Sequence, residues 1–123
     1  MSKGRPYKTY EIDGYQVFVG RGAEENDELT FAIAEPYDLW LHVADEVPGS
    51  HVVVCNPERG EVPRSVIEQA AQLAAWHSKA RAARRVEVHV CRVSNVKKPR
   101  GAPAGLVEIA SFDSVRVAPS ALR

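Results

Sequence analysis

The dipeptide Asp13-Gly14 is the strongest local constraint on the fold of this chain. It separates two runs that are rich in aromatic and β-branched residues, 7–12 and 15–19. Asp-Gly accepts the left-handed backbone of a two-residue turn, and such a turn joins neighbouring antiparallel strands. The sequence therefore predicts an opening β-hairpin.

Further strands are predicted from short apolar runs between turn residues, at 39–43, 51–55, 86–93, 106–109 and 114–117. In the first of these runs, the odd-numbered side chains face the core. Trp40 and His42 then share the opposite face of the strand.

Two helices complete the pattern. Residues 23–34 predict a short helix with four acidic residues in its first turns, where they favour the positive end of the helix dipole. A longer helix is predicted from Ser65 to about Arg85, because Ser65 and Glu68 match a capping box just after Pro63. The order ββαββαβββ predicts an α+β fold with a mainly antiparallel sheet, one short helix and one long helix. The 123 residues suit a single domain.

The charge of the chain is neutral in total but uneven along its length. Sixteen basic residues balance sixteen acidic ones, which by itself argues against a dedicated nucleic-acid binder. Residues 22–58 contain nine acidic and no basic residues, whereas residues 76–100 contain eight basic residues and one acidic residue. The basic segment restores a nucleic-acid hypothesis that the total would have discouraged.

The composition also bears on location. No stretch reaches the roughly 18 apolar residues of a membrane span, and the polar start lacks the apolar core of a signal peptide. We therefore expect a cytoplasmic protein without a membrane partner. Cys55 and Cys91 lie in apolar, strand-like runs, where reduced thiols are expected.

Catalysis and metal binding have weak support in the sequence. The four histidines and two cysteines show no metal-ligand spacing, so we expect no metal and no other cofactor. Asp38, His42, Ser50 and His51 include the residue types of a hydrolase, but no nucleophile-elbow motif surrounds Ser50. We expect no catalytic residues, and a small RNA-acting enzyme that uses this cluster stays as an alternative.

The same cluster and a basic loop offer the chemistry of RNA binding. Trp40 and His42 on an exposed strand face would stack on unpaired bases, unless Trp40 packs under the first helix. The loop 95–105 carries Lys97, Lys98 and Arg100 among prolines and glycines, where cations suit a phosphate backbone. Cations near the end of the long helix need no ligand to explain them.

Five ordered motifs resemble those of the NFACT-R domain family. They lie at residues 19–31, 38–43 (Asp-Leu-Trp-Leu-His-Val), 47–53 (Val-Pro-Gly-Ser-His-Val-Val), 70–75 and 96–105. The resemblance runs from about Tyr15 to Pro119. One departure is Gly22, where the long members of the family more often have Asn.

The resemblance implies an α+β module that binds RNA, either tRNA or rRNA, with the ribosome or an RNA-modifying enzyme as a further partner. We expect a stand-alone member, a class for which a link to tRNA modification has been inferred. The RNA-binding residues that it implies are Arg21, Asn26, Asp27, Thr30, Asp38, Trp40, His42, Gly49, Ser50, His51, Lys97, Lys98 and Arg100. Asp38 is expected to orient His42 or Arg21 through a charge-assisted bond. An adaptor that recruits a tRNA-modifying enzyme is a further alternative.

Overall fold

A computed structural model describes residues 5–122 as an α+β fold with a mainly antiparallel sheet. The first helix, α1, continues as a π-helical segment over Leu29–Ile33. The elements in chain order are β1 (Tyr7–Ile12), β2 (Tyr15–Gly20), α1 (Ala23–Glu28), β3 (Leu39–Val43), β4 (Val52–Val54), α2 (Arg64–Trp76), β5 (Val86–Arg92), β6 (Val96–Lys97), β7 (Glu108–Ile109) and β8 (Asp113–Val117).

Six strands form the main sheet in the order β1-β2-β4-β3-β5-β8, with every neighbouring pair antiparallel. The predicted hairpin is confirmed, since Asp13 and Gly14 both have positive φ and join β1 to β2. The two-residue strands β6 and β7 form a separate small sheet. No helix in residues 5–122 is long and apolar enough to cross a membrane.

One face of the sheet is covered by α2. Val66, Ala70 and Leu73 are fully buried and belong to a core that includes apolar side chains of all six strands of the main sheet. The small alanine side chains let the helix approach the sheet closely. This layer is the larger of the two hydrophobic cores.

The other face of the sheet carries a second apolar layer. The register aligns Phe18, Val53, Trp40 and Cys91 across four strands, and Leu29 packs on this row from the π-helical segment. One row further along, His42 lies opposite His89. The prediction that Trp40 and His42 share the face away from the main core is confirmed.

The predicted start and end of α2 are wrong. The helix begins at Arg64 after Pro63, and no side chain caps it, so Ser65 and Glu68 do not form a capping box. It ends at Trp76, because the chain then pairs with the loop before β4. Ser50 N–H donates to the His77 carbonyl, and Lys79 N–H donates to the Pro48 carbonyl. These long-range bonds replace the hydrogen bonds of a longer helix.

Candidate nucleic-acid interface

Three chain segments meet at the end of the sheet where β2 stops and β4 begins. The Ser50 hydroxyl donates to the Gly20 carbonyl at 2.8 Å, while its backbone N–H donates to His77 at 2.9 Å. Gly49 lies against Ser78 so closely that a Cβ at position 49 would be 2.7 Å from the Ser78 Cβ. Gly49 and Ser50 thus fasten the β3–β4 loop to the end of α2.

A buried polar network ties α1 to the start of β4. The Asn26 side-chain oxygen accepts the His51 N–H at 3.1 Å, and a Cβ at Gly20 would collide with that oxygen. Thr30 Oγ1 lies 2.9 Å from His51 Nδ1. Asn26, Thr30 and His51 are all buried. These three residues of the family motifs therefore stabilise the packing of α1 on the sheet.

A second set of contacts ties α1 to the loop that follows β6. Asp27 Oδ1 accepts the Gly105 N–H at 3.1 Å, and Asp27 Oδ2 lies 2.9 Å from Lys98 Nζ. Lys98 Nζ also donates to the Pro103 and Leu106 carbonyls. The ammonium group of Lys98 therefore makes its hydrogen bonds within the protein.

Asp38 does not orient His42 or Arg21, which corrects that prediction. Its carboxylate is buried and accepts two backbone N–H groups, from Glu35 at 2.9 Å and from Asn56 at 2.7 Å. The contacts shape the turn before β3 and the segment after β4. They lie at the end of β3 away from His42.

The expectation that Trp40 offers an exposed stacking face is also wrong. Its side chain is only 2% exposed and packs beneath Leu29 of the π-helical segment. Its indole is stacked on the His42 ring, with centroids 5.8 Å apart and planes 14° apart. The alternative interpretation, in which Trp40 packs under the first helix, is the one that holds, since the helix covers this part of the sheet.

An open groove of about 1290 Å³ lies over the row of His42 and His89. Its walls come from the β3–β4 loop, the segment after α2 and the segment 103–109. Its lining includes His42, His77, His89 and Trp76, and the buried rings of Trp40 and His51 lie beneath its surface. The fold thus collects aromatic and imidazole rings that lie far apart in the sequence.

The wall after α2 has the arrangement most suited to a nucleotide. The Arg81 guanidinium carbon lies 4.2 Å from the centroid of the Trp76 ring. Trp76 is half-buried and Arg81 is exposed, as is the neighbouring Lys79. Sequence reasoning missed Trp76 and attributed Arg81 to a helix dipole, because the helix was predicted to extend through both residues.

The histidines of the groove differ in their hydrogen bonding. His42 places both ring nitrogens near backbone carbonyls, with Nδ1 2.7 Å from Val43 O and Nε2 3.2 Å from Gly49 O. Burial nevertheless lowers its pKa, so the ring favours the neutral form. For His51, burial and then the charge of His42 lower the pKa to about 4. His42 and His51 are therefore uncharged at neutral pH.

Arg21, Lys97 and Arg100 are the predicted site residues whose charged side chains are exposed. The other predicted residues, apart from Asp38, form two groups. His42, Gly49 and Ser50 line the groove, with the buried Asn26, Trp40 and His51 beneath its surface. Asp27, Thr30 and Lys98 brace the elements around it. Asp38 lies outside both groups.

The geometry of the polar side chains also bears on the catalytic and metal-binding hypotheses. Ser50 Oγ donates to a backbone carbonyl, and the Asp38 oxygens are occupied by backbone N–H groups. Within residues 5–122, no group of three or more potential metal ligands is suitably placed. Cys91 is buried and Cys55 half-buried, and both are free thiols whose pKa burial raises to about 11.

Comparison with known proteins places this geometry in a family. Residues 5–111 match the family model described as the NFACT protein RNA binding domain. The Rqc2 homolog RqcH of Bacillus subtilis (strain 168) is 40% identical over 115 residues, which are 93% of this chain and 20% of that protein. The Rqc2 homolog RqcH of Streptococcus suis (strain 05ZYH33) is 36% identical over 117 residues, 94% of this chain and 21% of that protein.

A solved structure agrees with both matches. It is the C-terminal part of the fibronectin/fibrinogen-binding protein from Streptococcus suis, which superposes with a TM-score of 0.88 at 34% identity. The match covers 98% of this chain and 48% of that one. The chain spans about a fifth of the length of the curated relatives. The resemblance drawn from the motifs is confirmed, and the chain belongs to the family of NFACT RNA-binding domains.

Proposed function

We propose that this domain binds tRNA or ribosomal RNA by taking an unpaired segment into the groove. The observation that carries the proposal is the stacked pair Trp76 and Arg81 on a groove wall. A guanidinium plane on an indole ring offers an unpaired base a stacking surface and offers its phosphate a charge. Double-stranded RNA has no base face to place there.

Exposed cations, on the groove wall and elsewhere on the surface, supply the part of the affinity that does not depend on base identity. Lys79 and Arg81 lie on the same wall, and Lys97 and Arg100 are exposed on the segments that follow β5. Each phosphate that they neutralise releases counterions. The proposal therefore requires an affinity that falls steeply with salt.

The role of the domain in this proposal is binding, with chemistry left to a partner such as the ribosome or an RNA-modifying enzyme. The hydrogen bonds of Ser50 and Asp38 support it, because both groups are engaged with the backbone. A serine nucleophile needs a base within hydrogen-bond reach. Ser50 instead donates to a carbonyl, which cannot take its proton.

Titration of tRNA and rRNA fragments by fluorescence anisotropy, repeated over a range of salt concentrations, tests this function. Trp76→Ala should weaken binding about five- to one-hundred-fold, the range expected for loss of one stacked base. Arg81→Ala should weaken binding and flatten the salt dependence, whereas Arg64→Ala at the other end of α2 should do neither. Arg64 is a matched control because it is exposed and paired with Glu68. Equal affinities for all of these proteins would refute the proposal.

A further inference from the structure

A second depression, of about 530 Å³, lies along the edge strand β1 and outside the groove. Tyr7, Thr9 and Tyr10 line it together with three cations, Arg5, Lys8 and Arg21. Arg5 precedes the strand, and Arg21 comes from the turn between β2 and α1. Folding thus brings Arg21 to two cations that are already close in the sequence.

The three cations are open to a ligand. All are exposed, and among residues 5–122 none has a carboxylate oxygen within 4.0 Å. A lysine on an edge strand can serve simply to prevent pairing with another chain. That explanation covers Lys8 but leaves Arg5 and Arg21, which lie outside the strand, without a role.

One contact joins the lining of the depression to the lining of the groove. Tyr10 lines the depression, and its hydroxyl oxygen lies 3.1 Å from Nε2 of His77, which lines the groove. Burial lowers the pKa of His77, and the charges of Lys8 and then Arg81 lower it further. Both cations therefore act on the same imidazole, Lys8 from the depression and Arg81 from the groove.

We propose that the depression binds backbone phosphates of the same RNA segment whose bases occupy the groove. The inference rests on the proposed RNA-binding function and extends it. A single-stranded segment would run from the Trp76 and Arg81 wall, past His77, to the edge of β1. Arg21 and Lys8 hold phosphates at this end, so recognition requires a length of unpaired RNA rather than one flipped base.

The test compares labelled oligouridylates of about 4 and about 12 nucleotides, within the usual site sizes for single strands. The double variant Lys8→Ala/Arg21→Ala should weaken binding of the longer RNA and reduce the slope of log K against log salt by about 1.4, since each phosphate contact contributes about 0.7. The shorter RNA, which fills only the groove, should lose less. Circular dichroism and thermal melting check that the variant is folded.

The control is Arg84→Ala/Arg85→Ala, which removes two exposed cations outside both depressions. If the two double variants bind the longer RNA with the same affinity and slope, the phosphate path is wrong, whether or not β1 accepts some other occupant such as a protein strand. A weaker affinity with an unchanged slope would also overturn it. After either result, the proposed RNA-binding function still stands if Trp76→Ala weakens RNA binding. If the wild-type protein binds no RNA, both the phosphate path and the proposed function are wrong.

Discussion

Lys98 Nζ lies 2.9 Å from Asp27 Oδ2, so the second of the two lysines in the loop 95–105 is bound to the first helix. The backbone carbonyls of Pro103 and Leu106 accept its remaining hydrogen bonds. The adjacent Lys97 is exposed. Two neighbouring lysines therefore have different roles, one in holding the loop and one in presenting charge.

This difference predicts a separation between two single variants. Lys98→Ala should lower the free energy of unfolding by about 1 kcal/mol, as a partly buried pair is worth more than the small contribution of an exposed one. Lys97→Ala should leave stability within about 0.5 kcal/mol and reduce the salt slope of RNA binding by about 0.7. Urea unfolding and salt titration measure the two quantities. Identical behaviour of the two variants would contradict the assignment.

Gly49→Ala should destabilise the protein by about 1–3 kcal/mol, a range typical of overpacking. The new Cβ would lie 2.7 Å from the Ser78 Cβ, and the backbone of residue 78 leaves little room to move. Gly60→Ala is the control, because a Cβ at Gly60 has no heavy atom within 4 Å. Chemical denaturation of both variants measures the effect. A loss of equal size at the two positions would show that close approach is not what requires Gly49.

The stability of the domain should fall as pH drops below neutrality. His51 has a pKa of about 4 in the folded protein and 6.5 in its ordinary state, so the unfolded chain binds the proton first. The stabilisation is complete above pH 6.5 and is lost as pH falls to about 4, with a full size of about 3 kcal/mol. Burial lowers the pKa of His42 and His77 too, which adds to the trend.

Urea unfolding at several pH values measures this dependence. His51→Gln should be less stable at pH 7, because the Thr30 contact changes, and should show a shallower loss towards acid. If the variant and the wild type lose stability in parallel, His51 is not the group responsible.

Asp38→Asn should affect folding and not RNA affinity. The amide that replaces one carboxylate oxygen would present N–H groups to a backbone N–H, either of Glu35 or of Asn56. The expected cost is about 1–3 kcal/mol, the penalty of a buried unsatisfied group. Anisotropy under conditions where the variant is fully folded should give the wild-type affinity. A specific loss of RNA binding by the folded variant would restore Asp38 to the interface.

Local patterns predicted the strands and helices well because the physics that forms them is local. Asp13-Gly14 defines the hairpin, and alternation along β3 places Trp40 away from the main core. The end of α2 could not be found in this way. It depends on hydrogen bonds to residues 48–50, which are distant in sequence and compete with the helix.

The sequence motifs identify residues of the site, but they do not show which of them are exposed for binding and which are buried in the fold. Trp40 and His51 have residue types suited to stacking, yet both are covered once α1 packs on the sheet. Trp76 stands within an alanine-rich helical pattern, where an aromatic residue reads as core. Its value for binding depends on Arg81, which reaches it only because the helix stops between them.

The walls of the groove differ in charge, and this difference determines which wall a bound polyanion lies against. Asp45 and Glu46 line it from the β3–β4 loop, both with the left-handed backbone that costs a non-glycine residue energy. Lys79 and Arg81 line it from the segment after α2. In the proposed complex, the first wall repels phosphates and the second attracts them, so the sugar-phosphate backbone lies along the segment after α2, where Trp76 and Arg81 also offer a base their stacking surface. The two carboxylates thus confine phosphates to the wall that also carries the stacked pair of Trp76 and Arg81.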